Sequence, residues 1–307
     1  MRVDRRALLA GLAGLSLLPL PGCATTAGTP APDAAAALAT LETRSGGRLG
    51  IAILDGKDGT LTGHRAADRF TMCSTFKLSL AAAVLALMDA GEIAPDATLP
   101  IAASDPVGHS PVLRAALAEG KTSLPVLTLS EAAQVQSDNG ASNILLRRIG
   151  GPVALTDFWR RLGDDVTRLD RYEPELNTSH DGDPRDTTSP AAMARSMRAM
   201  LTGDLLEAAT RERLIGWMIG TQTGLKRLRG GFPAEWRAGD KTGTNPGDGS
   251  YAGKTNDLAI VWHPARPEPF FVTALYESVN GTETRPQDEA VLAEAGRIAA
   301  AWIAARV

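Results

Sequence analysis

The chain has 307 residues, enough for one large domain or two intimate ones, and its apolar share of 44% can supply a sizeable core. A formal net charge of −3 and a pI near 5.9 give no basic field of the kind that binds nucleic acid. The two cysteines, Cys23 and Cys73, and the scattered histidines His64, His109, His180 and His263 have no metal-ligand spacing, so no metal site is expected.

The chain opens with Arg2, Arg5 and Arg6, followed by an apolar run of 14 residues from Ala7 to Leu20. That run is too short to span a bilayer comfortably and reads as an export signal. The pair Arg5-Arg6 resembles a twin-arginine signal. Leu20-Pro21-Gly22-Cys23 resembles a bacterial lipobox, in which Cys23 is lipidated and becomes the mature N-terminus; the alternative is plain cleavage a few residues later. Both readings send the protein to the periplasm, with membrane attachment only through an N-terminal lipid. Residues 1–22 are therefore set aside from the fold, and the Ala/Thr/Pro-rich residues 23–34 read as a flexible tether.

An amphipathic helix is predicted over 35–45, and a hairpin over 48–54 and 60–65 around Asp55-Gly56-Lys57-Asp58-Gly59. From Ser74 a helix runs through Leu78 to Met88 with no polar stripe, the mark of a helix buried on every side. Asp89-Ala90-Gly91 supplies its stop, with Gly91 suited to a left-handed turn. Further helices are predicted over 110–118, 129–136, 141–149, 152–162, 190–201 and 204–218, and strands over 236–244, 258–263 and 270–277. A closing helix over 287–305 carries Val291, Leu292, Ala295, Ile298, Ala299 and Ile303 at helical spacing. Strands at both ends with helices between imply an α+β fold. Residues 35–70 and 219–307 would share one antiparallel sheet flanked by helices, 71–218 would form an all-helical domain, and the active site would lie between them.

Ser74 opens the buried helix, and Lys77 sits one turn along on the same face. The positive end of the helix dipole and the partnerless first-turn N–H groups can activate a hydroxyl and stabilise an oxyanion. The plainer alternative is a helix cap beside a solvated charge, and S-x-x-K alone does not decide between them. Ser137-Asp138-Asn139 follows the helix ending at Gln136, and Lys241-Thr242-Gly243-Thr244 lies on a predicted strand. Between them, residues 171–186 are polar, Pro/Gly-punctuated and aperiodic, with the length of an Ω-loop.

S-x-x-K, S-D-N and K-T-G in this order, with Glu173, Asn177 and Asp186 in the Ω-loop segment, resemble the class A serine β-lactamases over essentially all of the mature chain. The resemblance implies a small-molecule β-lactam substrate, acyl transfer through Ser74, no cofactor and a monomer. Lys77 would take or relay the serine proton, and Glu173 would activate a water held with Asn177; which of them serves as acylation base stays open. Ser137 would pass a proton to the departing ring nitrogen, and Asn139 would bond the acylamide. Backbone N–H groups of Ser74 and Thr244 would form an oxyanion hole, and Lys241, Thr242, Gly243 and Thr244 would face the substrate carboxylate. Arg227 resembles the arginine that supports this carboxylate in some members; the alternative is a solvated surface charge. His109 matches an aromatic at the cleft mouth, or belongs to a surface loop.

Arg171 and Asp186 would pair across the ends of the Ω-loop, and the Glu173–Pro174 bond would be cis. Some relatives bridge the cysteine before the nucleophile to one after K-T-G-T; that position is Asn245 here, so Cys73 is expected to be a buried free thiol. Glu173 with Asn177 argues against a D-Ala-D-Ala carboxypeptidase or penicillin-binding protein. A non-hydrolysing penicillin sensor would need a membrane span, and no run after residue 22 is long enough. The connection from Asn245 to Lys254 is longer than usual and rich in turn formers. It is expected to overhang the cleft edge and to select among cephalosporins.

Overall fold

Both ends of the chain contribute to one five-stranded antiparallel sheet, as seen in a computed structural model that describes residues 33–178, 180, 182–278 and 286–307. The export signal, the tether up to residue 32 and Cys23 lie outside the described residues. The first half of the chain forms α1 (Ala34–Ser45), β1 (Arg48–Asp55), β2 (Leu61–His64), β3 (Phe70–Thr71), α2 (Phe76–Asp89), β4 (Thr98–Pro100), α3 (Pro111–Ala118), β5 (Ser123–Pro125), α4 (Val126–Val135), α5 (Asn139–Ile149) and α6 (Gly151–Arg161). The second half forms β6 (Thr187–Thr188), α7 (Pro190–Thr202), α8 (Ala208–Ile219), α9 (Leu228–Gly231), β7 (Arg237–Asn245), β8 (Gly253–Trp262), β9 (Phe270–Ser278) and α10 (Pro286–Ala304). The sheet order is β2-β1-β9-β8-β7, which leaves β7 as an edge facing the helices.

The two-residue alternation of a strand sends side chains to opposite faces, and the sheet uses both. Leu49, Ile51 and Ile53 of β1 join Val272 and Ala274 of β9 in a cluster with Leu38 of α1 and Leu292, Ala299 and Ile303 of α10. The intervening Ala52 and Leu54, with Leu258 and Ile260 of β8, join the second cluster built on α2 and the other helices. Local chemistry starts and stops these helices. Asp33, Asp138 and Ser189 cap α1, α5 and α7 by accepting from the backbone N–H of Ala36, Ala141 and Ala192.

Every residue of α2 from Phe76 to Leu85 is buried. Its stop is as expected: Gly91 adopts φ +74° and its N–H reaches the Met88 carbonyl at 3.0 Å. Asp89 then holds the next layer, accepting from the Thr210 hydroxyl at 2.6 Å and the Glu207 N–H at 2.9 Å. The start differs from expectation. Cys73–Thr75 form a 3₁₀ turn and α-helical geometry begins only at Phe76. Cys73 sits at φ +47°, and the Thr75 hydroxyl donates to the Met72 carbonyl at 2.8 Å, which tightens the turn ahead of the helix. The short pairs β3–β6 and β4–β5 escaped sequence reading, because two or three residues show no periodicity.

Leu80 has no exposed surface in the middle of α2. Leu80→Ala is expected to lower stability by about 2–5 kcal/mol through lost contacts and a residual cavity. Urea unfolding should show a lower midpoint with an unchanged slope.

Candidate active site

The sheet edge meets the start of α2 at very short range. A Cβ on Gly243 would lie 2.6 Å from the Met72 carbonyl oxygen and 3.1 Å from the Thr75 nitrogen, so only glycine lets β7 approach the turn that carries Ser74. Asn256 of β8 ties the same seam, donating to the carbonyls of Thr71 at 2.8 Å and Met72 at 3.1 Å. Above the seam opens a cleft of about 420 Å³, lined by Ser74, His109, Ser137, Asn139, Asn177, Thr242, Thr244 and Arg227, all expected from the sequence, and by Thr223, Gly224 and Glu289, which were not.

Lys77, Glu173 and Lys241 lie beneath that lining. Lys77 has no exposed surface, and its ammonium donates to the Ser137 carbonyl at 2.9 Å and Asn139 Oδ1 at 2.5 Å. It also pairs with Glu173 Oε1 at 3.1 Å. Burial pushes the Lys77 ammonium below its ordinary range and outweighs the opposing charge and hydrogen bond of Glu173. The Ser74 hydroxyl stands 3.4 Å from the same Glu173 oxygen. Glu173 Oε2 accepts from Asn177 Nδ2 at 2.6 Å.

Ser137 sits at φ +58°, a left-handed conformation at the end of the α4–α5 connection. Its hydroxyl oxygen lies 3.4 Å from Lys77 Nζ and 3.1 Å from Lys241 Nζ. Two ammonium donors occupy its lone pairs, which leaves its own proton free to point into the cleft. Lys241 is fully buried, and burial together with the Lys77 charge holds it well below an ordinary lysine. Arg227 is buried and not a solvated surface charge. Its guanidinium donates to the carbonyls of Gly243 at 3.1 Å and Asn256 at 2.9 Å and to Thr244 Oγ1 at 2.8 Å, and pairs with Glu289 at 3.2 Å. His109 is exposed at the cleft mouth, its Nε2–H donating to the Gln136 carbonyl at 2.9 Å.

The Ω-loop carries Glu173 inward. Arg171 pairs with Asp186 at 2.6 Å, and Asp186 Oδ1 also accepts the N–H groups of Asp170 at 2.7 Å and Arg171 at 3.0 Å. The Glu173–Pro174 bond is cis. Asn143 grips the Glu173 backbone from both sides, donating to its carbonyl at 2.8 Å and accepting its N–H at 3.0 Å. Sequence reasoning missed Asn143, although its position one helical turn after Asn139 was a usable signal. Cys73 is a free buried thiol, pushed up to about 12 by its burial.

The model of the β-lactamase enzyme family matches residues 33–303. The chain belongs to that family. Among curated members, β-lactamase L2 of Stenotrophomonas maltophilia is 41% identical, with 97% of this chain and 98% of the relative covered. β-Lactamase CTX-M-25 of Escherichia coli is 40% identical over 96% of each chain. Among solved structures, an ancestral class A β-lactamase is 48% identical with a TM-score of 0.80, covering 86% of this chain and 98% of that one. A β-lactamase from Xanthomonas campestris pv. campestris is 42% identical with a TM-score of 0.80, covering 86% and 95%.

This β-lactamase carries one further feature below the cleft. Asp240 and Asp257 are fully buried, and Asp240 Oδ1, Asp240 Oδ2 and Asp257 Oδ1 have no hydrogen-bond partner among the described residues. Burial raises Asp240 to about 9, helped by the charge of Asp257, and burial raises Asp257 to about 7. The folded protein therefore keeps protons that an unfolded aspartate releases near pH ~4. Stability from this pair is full below about pH 4, declines as pH rises, and is lost above the folded values. Asp240→Asn should flatten this decline. The check is Tm across about pH 5 to 9, with the wild type falling more steeply than the variant; equal slopes would count against protonated carboxyls.

Proposed function

We propose that Ser74, Lys77, Ser137 and Glu173 carry out the two-step hydrolysis of β-lactams by this class A enzyme. The observation that carries the reading is the convergence of the Ser74 hydroxyl, the Lys77 ammonium and the Asn177 amide on one buried carboxylate, Glu173, at 3.4, 3.1 and 2.6 Å. In the first step Ser74 Oγ bonds to the strained amide carbon and its proton passes to Lys77 in its neutral amine form, or to Glu173 through a water. The ring C–N bond breaks, Ser137 gives its proton to the nitrogen, and Ser137 is reprotonated through Lys77, 3.4 Å away. In the second step Glu173 takes a proton from a water beside Asn177, the water oxygen bonds to the ester carbon, the ester C–O bond breaks, and the Glu173 proton passes to Ser74 Oγ, 3.4 Å away, which restores the serine.

Backbone N–H groups of Ser74 and Thr244 serve as oxyanion donors, each typically worth about 3–4 kcal/mol. Asn139 bonds the acylamide, and Lys241, Thr242, Gly243, Thr244 and Arg227 form the carboxylate subsite, with His109 at the mouth. The depressed Lys77 ammonium supports a role as base, because less free energy is needed to neutralise it than an ordinary lysine. The same acylation would serve a D-Ala-D-Ala carboxypeptidase; the buried Glu173 beside Asn177 favours rapid release and hence β-lactamase action. Export to the periplasm and lipidation at Cys23 belong to this proposal and rest on the N-terminal sequence alone. No helix among the described residues is long and apolar enough to cross a membrane.

Ser74→Ala should reduce penicillin hydrolysis by roughly 10³-fold or more. Mass spectrometry of the early-quenched wild type should place a penicilloyl adduct on the Ser74 peptide. Glu173→Ala should still acylate and release product about 10²–10⁴-fold more slowly, with acyl-enzyme accumulating. Wild-type release in that variant would remove Glu173 from the mechanism.

A further inference from the structure

The connection between β7 and β8 does not overhang the cleft as the sequence suggests: none of residues 246–252 lines it. It lies instead against the Ω-loop. The Asn245 amide nitrogen donates to the Asn177 carbonyl at 2.8 Å and reaches the Tyr251 hydroxyl at 3.4 Å. The Tyr251 ring meets His180 of the Ω-loop edge-on, with centroids 5.9 Å apart and planes at 83°. From the sheet side Lys254 sets its ammonium over the same ring, 5.7 Å from the centroid. Lys254 is itself fixed by the Ala252 carbonyl at 2.9 Å and by Glu277 at 3.7 Å. Asp248 closes the turn ahead of Tyr251, accepting the Ser250 N–H at 2.8 Å and its hydroxyl at 2.7 Å.

Asn177 is the residue most exposed to a loss of this support. Its side-chain nitrogen donates to Glu173 Oε2 at 2.6 Å and to the Pro174 carbonyl at 2.9 Å. Its Oδ1 is buried without a hydrogen-bond partner among the described residues, an acceptor beside the Glu173 carboxylate. The end pins of the loop, Arg171 with Asp186, stop short of the Asn177 backbone; Arg171 reaches the following carbonyl, of Thr178, at 2.5 Å. The Asn177 carbonyl is taken by Asn245, from outside the loop.

We propose that Tyr251 and Asn245 are positioning residues for the release of the acyl-enzyme. They form a strut from β8 through the β7–β8 connection that holds the Asn177 segment of the Ω-loop, and with it the water-binding pair of Glu173 and Asn177. The proposal rests on the role given above to that pair. With Lys77 as the acylation base, acylation depends on Ser74, Lys77 and Ser137, which the strut does not touch, so the two steps should respond differently.

The test measures acylation and deacylation separately, by stopped-flow and by quenched mass spectrometry with benzylpenicillin. The variants are Tyr251→Ala, Tyr251→Phe, Asn245→Gly and Asn245→Ser. Tyr251→Ala and Asn245→Gly should slow deacylation by about tenfold while acylation stays within about twofold, since displacement of a reacting group by an ångström is enough for such losses. Asn245→Ser keeps a donor for the Asn177 carbonyl and should recover much of the rate. Tyr251→Phe keeps the ring contact with His180 and should fall between. The double variant Tyr251→Ala/Asn245→Gly should be little worse than either single variant, as for two parts of one strut. Unchanged deacylation in both truncations overturns the proposal. So does a parallel fall of both steps with a lowered Tm, the mark of a merely structural role. If Glu173→Ala accumulates no acyl-enzyme, the underlying reading fails; if it does while the Tyr251 and Asn245 variants release product normally, only the strut fails.

Discussion

Lys77 places an ammonium group where none of its surface meets water, and much of the site exists to make that tolerable. A charge moved out of water costs several kcal/mol even after the protein relaxes. Here the cost is offset by acceptors from three separate elements: the Ser137 carbonyl before α5, Asn139 at its first turn, and Glu173 from the Ω-loop. The compensation is incomplete, and the ammonium stays depressed. Incomplete compensation makes this ammonium readier than an ordinary lysine to lose its proton.

The second constraint is the seam between β7 and the 73–75 turn. Gly243 permits a backbone approach that any side chain would block. Asn256 and Arg227 then stitch the two sides with hydrogen bonds to main-chain carbonyls. Lys241 and the carboxyls of Asp240 and Asp257 lie buried along these two strands. Close by, Arg227 and Glu289 bring opposite charges to the same end of the cleft. The site thus gathers several titratable groups in and beneath one cleft. That concentration of perturbed groups in a cleft is itself a mark of function.

Among its described residues the Ω-loop has little regular structure of its own, the short turn Glu175–Asn177. Its order comes from Asp186 at its own end, bonded to the backbone at its start, and from two side chains outside it, Asn143 of α5 and Asn245 of the sheet edge. Two of these side chains stand beside residues read for other reasons, Asn143 one turn beyond Asn139 and Asn245 just after Thr244. The loop can present a carboxylate to Ser74 because its own end pin and two rigid elements share the work of placing it.

Sequence alone determined the parts that depend on local pattern. The buried α2 with no polar stripe, the alternating strands, the capped helices and the three short motifs are set by side-chain period and turn chemistry, which act over a few residues. Arg171 and Asp186 were legible through the resemblance that their loop carries. Tertiary structure decided what depends on residues far apart in the chain. Ser74 lies in a 3₁₀ turn that packs against Gly243 of β7 across the seam. Glu289 reaches Arg227 from a helix 62 residues away in sequence. The carboxyls of Asp240 and Asp257 are pushed well above the ordinary aspartate range because burial removes their water. The β7–β8 connection looked like a free overhang because Gly, Pro, Asp and Asn say only that a chain turns, and the position of His180 and Asn177 decides what it turns against. Local propensity has no access to such contacts, since their energy exists only once distant segments have excluded water together.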